Sequence, residues 1–375
     1  MAVKVALDVS AAPAQLAGAG RYIAELAARL PASGLETTLV CRRDDAVRWS
    51  AISPQATLAA IVPRPRAARL VYEATRLGTS DAARHVDVWH GPHYTMPRRR
   101  SGPTVVTIHD LTYFTNPEWH EHAKALFFRR AITFAARHAD VLVAVSDFTA
   151  RAIEQQFANH APVVVAPHGV DLERFSPDSR DDESLMRAHN LAIGVPYVVF
   201  VGTAEPRKGL DVLLAAFSEL SRQDPAIELW LAGQVGWGLG EFEAALVAHP
   251  AASRIRRLGY VSDEVVPALL RQSRVVAYPS RGEGFGLPVL EAMACGASVV
   301  TSAHTVMADV AGDTATLVEA GDVAALAAAL EASIAQSETE RVERGTRSRE
   351  RAEQFTWSHS IEQHRRAYDM AVGGA

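Results

Sequence analysis

Ser280-Arg-Gly-Glu-Gly-Phe-Gly-Leu-Pro-Val-Leu-Glu-Ala-Met-Ala-Cys-Gly-Ala-Ser-Val-Val-Thr301 is the stretch whose reading decides the fold. A short apolar, β-branched run, Val275 to Tyr278, leads into it, and the loop Gly282-Glu-Gly-Phe-Gly286 follows. Pro288 sits where a first helical turn tolerates a missing N–H, and Gly296 stops that helix before the apolar run Ala297 to Thr301. The order is therefore strand, loop, helix, strand. Such a unit leaves the N–H groups of its helix start unpaired, with a partial positive charge that favours a phosphate. Gly284 and Gly286 let the backbone approach that anion, and Phe285 and Leu287 complete the loop.

Two carboxylates frame the loop, Glu283 before it and Glu291 about one turn into the helix. Acids beside a phosphate cradle are poor phosphate ligands, because like charges repel. They suit hydroxyls, since a carboxylate that accepts two neighbouring O–H groups grips the diol of a ribose or hexose. Taken singly, Glu283 reads as a solvated loop acid and Glu291 as a helix-surface acid near a favourable N-terminus. The pair around Gly-Phe-Gly-Leu-Pro reads as a sugar-nucleotide site.

The spacing Glu283 to Glu291 inside EGFGLPVLEAMACG resembles the E-x7-E signature of retaining glycosyltransferases with the two-Rossmann GT-B architecture, family 4 above all. The resemblance extends over most of the chain. It implies an α/β fold with two parallel-sheet, Rossmann-like domains facing a deep interdomain cleft.

Composition agrees with two domains. The chain has 375 residues, 48% hydrophobic and 22% charged, which is ordinary for a globular protein with two cores. A net charge of −5 gives no reason to expect a nucleic-acid partner. Cys41 and Cys295 lie far apart and join no metal-type cluster, so both read as reduced and buried, as in a cytoplasmic protein. The opening MAVKVALDVSAAP reads as a first strand and not as a signal peptide, and no apolar run is long enough to span a bilayer.

Val3 to Val9 is a buried-strand pattern, followed by a small-residue loop, Ala11 to Gly20, and a helix with apolar Ile23, Leu26, Ala27 and Leu30 on one face. Glycines at such a turn are common for backbone reasons alone. In the family this loop faces the donor phosphates, which by resemblance assigns Gly18 and Gly20, and with less weight Arg21, to the nucleotide. Thr37 to Val40 is a second strand. Ala46 to Ser80, punctuated by Pro54, Pro63 and Pro65, yields no order. Arg64, Arg66, Arg69, Arg76, Arg84 and Arg98-Arg-Arg100 make this region locally basic. That is either a solvated face or a docking surface for an anionic acceptor or a layer of membrane headgroups, which would place the protein peripherally on the inner face of the membrane.

Asp87 to Gly91 and Thr104 to Leu111 read as parallel strands with His109 and Asp110 at a carboxyl end, where ligands sit in open α/β sheets. A structural His-Asp pair is an equally simple reading. The HDL segment resembles one whose histidine approaches the donor sugar, with Asp110 placed to orient the ring. Val141 to Ser146 is a further strand, capped into a helix from Ala150. Ala166-Pro-His-Gly-Val-Asp171 resembles the family's P-N-G-V-D turn, with His168 in the asparagine position. Ser176 to Asp182 reads as an interdomain linker. The expected division is 1–177 for an N-terminal acceptor-side domain, 178–357 for a nucleotide-sugar domain, and 358–375 for a helix crossing back to the first.

Pro196 to Gly202 restarts the strand programme, Asp211 to Leu220 is an amphipathic helix, and Gly202-Thr-Ala-Glu-Pro-Arg-Lys-Gly209 lies between them. Adjacent Arg207 and Lys208 at a strand's carboxyl end are costly unless an anion lies between them. The segment resembles the family's E-P-R-K-G/N motif, whose basic pair neutralises the diphosphate leaving group. Ile227 to Gly233 is the next strand, with a glycine-rich loop through Gly240. Arg257 to Asp263 resembles the L-G-x-V segment, where backbone groups read the base.

Together these imply catalytic roles for Glu283, His109, Arg207 and Lys208, and no cofactor or metal. The donor is a nucleoside diphosphate sugar, with GDP-mannose favoured, and the acceptor is a hydroxyl of a glycan or glycolipid. A nucleotide-sugar epimerase on the same architecture is the alternative, distinguished by turnover without acceptor. A non-catalytic nucleotide-sugar-binding module is a third reading, against which both glutamates and both cations stand together.

Overall fold

The computed structural model describes residues 3–13, 16, 18–236 and 240–374, the side chains at 66, 67 and 74 excepted. Residues 14, 15 and 17 of the first glycine loop, 237–239 of the loop running to Gly240, and the Arg66 side chain of the basic run lie outside the described residues. The chain forms two units, 1–169 with 357–375, and 170–356.

The first unit carries seven parallel strands: β1 (Lys4–Asp8), β2 (Glu36–Arg42), β3 (Thr57–Val62), β4 (Val88–Gly91), β5 (Thr104–Ile108), β6 (Val141–Ala144) and β7 (Val163–Val165). Their order is β3-β2-β1-β4-β5-β6-β7. Strands β4, β5 and β6 are buried at every position, as interior parallel strands covered on both faces are. The unordered stretch 46–80 contains the helix Ala46–Ile52, β3 and the helix Arg66–Thr75. β3 is an edge strand, with five of its six positions only partly buried or exposed, so it lacks the apolar run that marks an interior strand.

The second unit repeats the plan with β8 (Tyr197–Val201), β9 (Glu228–Ala232), β10 (Ile255–Gly259), β11 (Val275–Tyr278), β12 (Val299–Ser302) and β13 (Thr316–Val318). The order β10-β9-β8-β11-β12-β13 is that of a doubly wound dinucleotide fold, with its switch point between β8 and β11. Segments leaving those two strands diverge to opposite faces, so the space outside their carboxyl ends is where a ligand fits.

The boundary falls eight residues earlier than 177 because residues 170–177 are fastened to the second unit. Val170 N–H donates to the Phe355 carbonyl at 3.0 Å, Phe175 is buried, and its carbonyl accepts from Arg349 at 2.6 Å. Ser176 to Asp182 is likewise anchored, not a free linker. Asp182 is 1% exposed, takes three bonds from Arg271 and one from Gln272, and Arg271 also donates to the Ser176 carbonyl at 2.8 Å. The stretch reads as a linker in the sequence because the cation that anchors it lies 89 residues away.

The last helix, Trp357–Gly373, belongs to the first unit and contributes Trp357, Ile361, Ala367, Tyr368 and Ala371 to its core. Polar side chains key it in place. His364 Nδ1 lies 2.7 Å from the Ser360 carbonyl, which can only accept, so Nδ1 carries the hydrogen and Nε2 accepts from the Tyr22 hydroxyl at 2.7 Å. Tyr22 in turn accepts from Thr107, Thr107 from His90 Nε2, and His90 Nδ1 from Tyr368, each at 2.8 Å. One carbonyl thus fixes the direction of five hydrogen bonds among fully buried groups, and the chain begins and ends on the same helix.

Candidate functional site

Arg207 and Lys208 sit on the 3-10 turn Pro206–Lys208 that follows β8, and Glu283 on the loop that follows β11. The switch point brings these three together. Arg207 Nη1 donates to Glu283 Oε2 at 2.5 Å and to the Gly282 carbonyl at 2.9 Å, while Lys208 Nζ donates to Glu283 Oε1 and, at 2.7 Å, to the Tyr278 hydroxyl. Tyr278 and Ser280 donate to the same Oε1 at 3.1 and 3.0 Å. The anion between the two cations is therefore the chain's own carboxylate. Four donors of the chain thus meet on the Glu283 carboxylate, and its side chain is 10% exposed.

Burial alone would push the Glu283 carboxyl up, but Arg207 and then Lys208 overcome it and hold it at about 2. Burial, followed by repulsion from Arg207, lowers the Lys208 ammonium, against the pull of Glu283. Glu205 takes the remaining side of Arg207, at 3.1 Å from Nε. The result is a partly buried cluster of two cations and two acids held in place by hydrogen bonds.

The helix beside it, Leu287–Ala294, starts from Gly286 at φ 97°, where a Cβ would come within 2.7 Å of Met307 Cγ. Only glycine fits that turn. Phe285 is buried and meets Phe355 edge-on at 5.9 Å, which pins the loop from below. Leu287 opens the helix, and Gly284 precedes the turn. Glu291 is 6% exposed, so it is a buried acid and not the surface one that its helical position suggested.

In the first unit, Gly18 at φ 52° precedes the helix Ala19–Ala32, and Gly20 packs on Pro13, whose ring carbons would lie 3.2 Å from a Cβ. Arg21 follows in the first turn of that helix. His109 leaves β5 and is 8% exposed, edge-on to Tyr22 at 5.0 Å. Its Nε2 donates to the Pro92 carbonyl at 2.9 Å, and burial lowers its pKa, so the ring is neutral with Nδ1 as its acceptor. Asp110 does not orient it. That carboxylate accepts from Thr112 N–H at 3.0 Å and Thr112 Oγ1 at 2.6 Å, closing its own turn. His168 is buried against Tyr22 at 4.8 Å.

Sequence reasoning missed two acids. Asp8 ends β1, and Glu73 lies on the helix Arg66–Thr75, where it meets Arg69 at 3.2 Å. Burial and then the Asp8 charge push Glu73 up to about 7. Glu73 belongs to the segment that carried no readable period. The basic run is thinned by pairing: Arg64 meets Asp44 at 3.0 Å, Arg69 meets Glu73, and Arg100 meets Asp140. Arg98 and Arg99 are exposed. Among the described residues no three histidines, cysteines, aspartates or glutamates form a metal-binding group, and no helix is long and apolar enough to cross a membrane.

A family model described as Glycosyltransferase Family 4 matches residues 16–174, and one described as Glycosyl transferases group 1 matches residues 195–336. O-antigen chain mannosyltransferase B of Escherichia coli is 32% identical over 285 residues, 76% of this chain and 74% of that protein. Sucrose-phosphate synthase from Thermosynechococcus elongatus superposes with a TM-score of 0.77 at 21% identity, over 100% of both chains. Anabaena HepE, solved in complex with UDP and glucose, gives 0.77 at 19% identity, over 97% of this chain and 98% of that one. The fold is thus that of GT-B glycosyltransferases, two parallel-sheet Rossmann-like domains. With two family models spanning both units and a relative at this identity and coverage, the chain belongs to glycosyltransferase family 4 and is an enzyme of hexosyltransferase type.

Proposed function

We propose that this enzyme transfers mannose from GDP-mannose to a hydroxyl of a growing glycan or glycolipid, with retention of anomeric configuration and without a metal. The observation that carries the reading is the convergence of Arg207 and Lys208 on Glu283 at the switch point of the second sheet. The mannosyl donor is supported by the O-antigen mannosyltransferase at 32% identity. Retention is supported by the Glu283 to Glu291 spacing, which resembles retaining family members.

The bond that breaks joins the anomeric carbon to a phosphate oxygen, and the barrier lies in negative charge gathering on the departing diphosphate. Preorganised cations act on such developing charge without reorganising. Arg207 and Lys208 take that part, with the amides at the start of the helix Leu287–Ala294 adding their partial positive charge. Glu283 serves as their counter-ion. A bound diphosphate competes for the same two cations and releases the carboxylate toward the sugar hydroxyls. Glu291 holds the ribose diol, and the amide backbone by Gly284 and Gly286 admits the phosphates. Gly18 and Gly20 offer a second glycine-lined helix start to the donor. His109 presents Nδ1 to a substrate hydroxyl. The acceptor's proton leaves on a phosphate oxygen as the new C–O bond forms. An anionic or lipid-linked acceptor would meet the exposed Arg98 and Arg99.

The test is turnover of GDP-mannose, UDP-glucose and ADP-glucose with and without a mannoside acceptor, with the product anomer assigned by NMR. Acceptor-dependent formation of an α-mannoside is expected. Isomerised donor in the absence of acceptor, or an inverted product, overturns the reading.

A further inference from the structure

On the same edge of the second sheet, next to the turn that carries Arg207 and Lys208, a cavity of about 350 Å³ opens over the ends of β8, β9 and β10. Among the described residues its wall is formed by apolar Phe200, Leu210, Leu231, Val235 and Phe242 and by Gly202, Gly233 and Gly259, with Gln234 beside them. A flat heteroaromatic ring suits such a slot better than a sugar does, because its faces are apolar and its polarity lies along the rim. Two charged side chains are found at that rim. Glu243, on the helix Gly240–Ala248, and Arg257, on β10, both line the cavity, and Arg257 Nη1 donates to Glu243 Oε2 at 2.6 Å.

We propose that Glu243 and Arg257 read the edge of the nucleobase, and that the base they read is guanine. This deepens the donor assignment above and rests on it. The argument is one of matching donors and acceptors. Guanine places two adjacent donors, N1–H and the 2-amino group, beside two adjacent acceptors, O6 and N7. A carboxylate offers only acceptors and a guanidinium only donors, each able to make two parallel bonds. Held side by side, as Glu243 and Arg257 are, they present the complement of that edge in its order. Uracil sets a single N–H between two carbonyls, so one carboxylate oxygen would face an acceptor. Adenine sets its amino group beside a bare ring nitrogen, with the same penalty, and offers the guanidinium only N7. Each mismatch leaves a charged group facing its like.

An ion pair that merely ties the helix to the strand would look the same without ligand, so the test must read the base. Isothermal titration of the full chain with GDP, IDP, UDP and ADP is expected to give the tightest binding for GDP. IDP, which lacks only the 2-amino group, is expected to bind about tenfold more weakly. Glu243→Gln should weaken GDP by about tenfold to a hundredfold and erase the GDP–IDP difference, and Arg257→Met should weaken GDP and IDP alike. Inorganic pyrophosphate should bind both variants as it binds the wild type, and the unliganded unfolding midpoint should not move. Preference for UDP or ADP, or a GDP–IDP difference that survives Glu243→Gln, overturns the base assignment and leaves the glycosyltransferase reading intact. Failure of all four nucleotides to bind overturns both.

Discussion

Lys208 Nζ donates to the Tyr278 hydroxyl at 2.7 Å, and both groups converge on one oxygen of Glu283. The two residues are 70 positions apart and meet because β8 and β11 are neighbours in the sheet. Tyr278 is buried and stacks on Phe200 at 5.4 Å, so it is a fixed post against which a long, flexible ammonium is held. This contact makes the cation cluster rigid before any ligand arrives.

Removing the carboxylate that the cations share should be costly. Glu283→Gln leaves Arg207 and Lys208 beside one another with Glu205, on the far side of Arg207, as the remaining nearby acid, a loss of about 3–5 kcal/mol. The sign with pH follows from the shift. Glu283 titrates at about 2 when folded against 4.5 ordinarily, so its contribution is whole above pH 4.5 and disappears as pH falls toward 2. Urea unfolding from pH 7 to 3 should show the difference between wild type and variant shrinking on the acid side.

Lys208→Met keeps the length of the side chain and deletes its charge. Glu283 retains Arg207, so the fold should tolerate the change better than the loss of Glu283. With a charge-stabilising donor gone, kcat should fall about a hundredfold to a thousandfold. Steady-state kinetics with GDP-mannose checks this, and an unchanged kcat would remove Lys208 from the chemistry.

The first unit should be acid-sensitive. Burial lowers His364 to about 4 and His93 to about 3, and holds His90 and His168 well below the ordinary 6.5. Each takes up a proton more readily when unfolded, so stability is whole above pH 6.5 and is lost as pH falls below it. The loss is about 1.4 kcal/mol per pH unit for each histidine until its folded value is reached. Chemical denaturation between pH 8 and 4 measures the slope. His364→Phe should flatten it, and at pH 8 should destabilise because the buried Tyr22 hydroxyl loses its acceptor and keeps Thr107.

Gly286→Ala should cost about 2 kcal/mol or more, since alanine disfavours φ 97° and its methyl would enter the space of Met307. The strain falls on the turn that opens the helix Leu287–Ala294, so GDP affinity should drop together with the unfolding midpoint.

Asp182→Ala should free residues 176–182 from the second unit. Arg271 would lose a buried partner, again about 3–5 kcal/mol, and residues 176–182 would lose their anchor. Limited proteolysis should then cut within this segment, where the wild type resists.

Strongly patterned elements were legible in the chain. Val141-Leu-Val-Ala144 and Tyr197-Val-Val-Phe-Val201 form the strands their apolar runs announce, because a parallel strand covered on both faces must be apolar throughout. β3 was not legible, since an edge strand has only one neighbour and can be built from Thr57-Leu-Ala-Ala-Ile-Val62 with most positions half-exposed. The helices His122–His138 and Glu338–Ala352 escaped as well. The second has strongly polar composition and a Ser337–Glu340 capping box, which is a local signal.

What the sequence determined by itself was the repeat of two sheet-and-helix halves and the spacing of Arg207, Lys208, Glu283 and Glu291 that resembles the family's. Those properties reside in period and spacing, which survive without coordinates. Tertiary structure decided the partners. It gave Glu283 to the two cations, Asp182 to Arg271, and Asp110 to its own turn, and it set Glu243 beside Arg257 at the rim of an apolar slot. Charge pairing depends on distance and on exclusion of water, and strand order in the sheet fixes both.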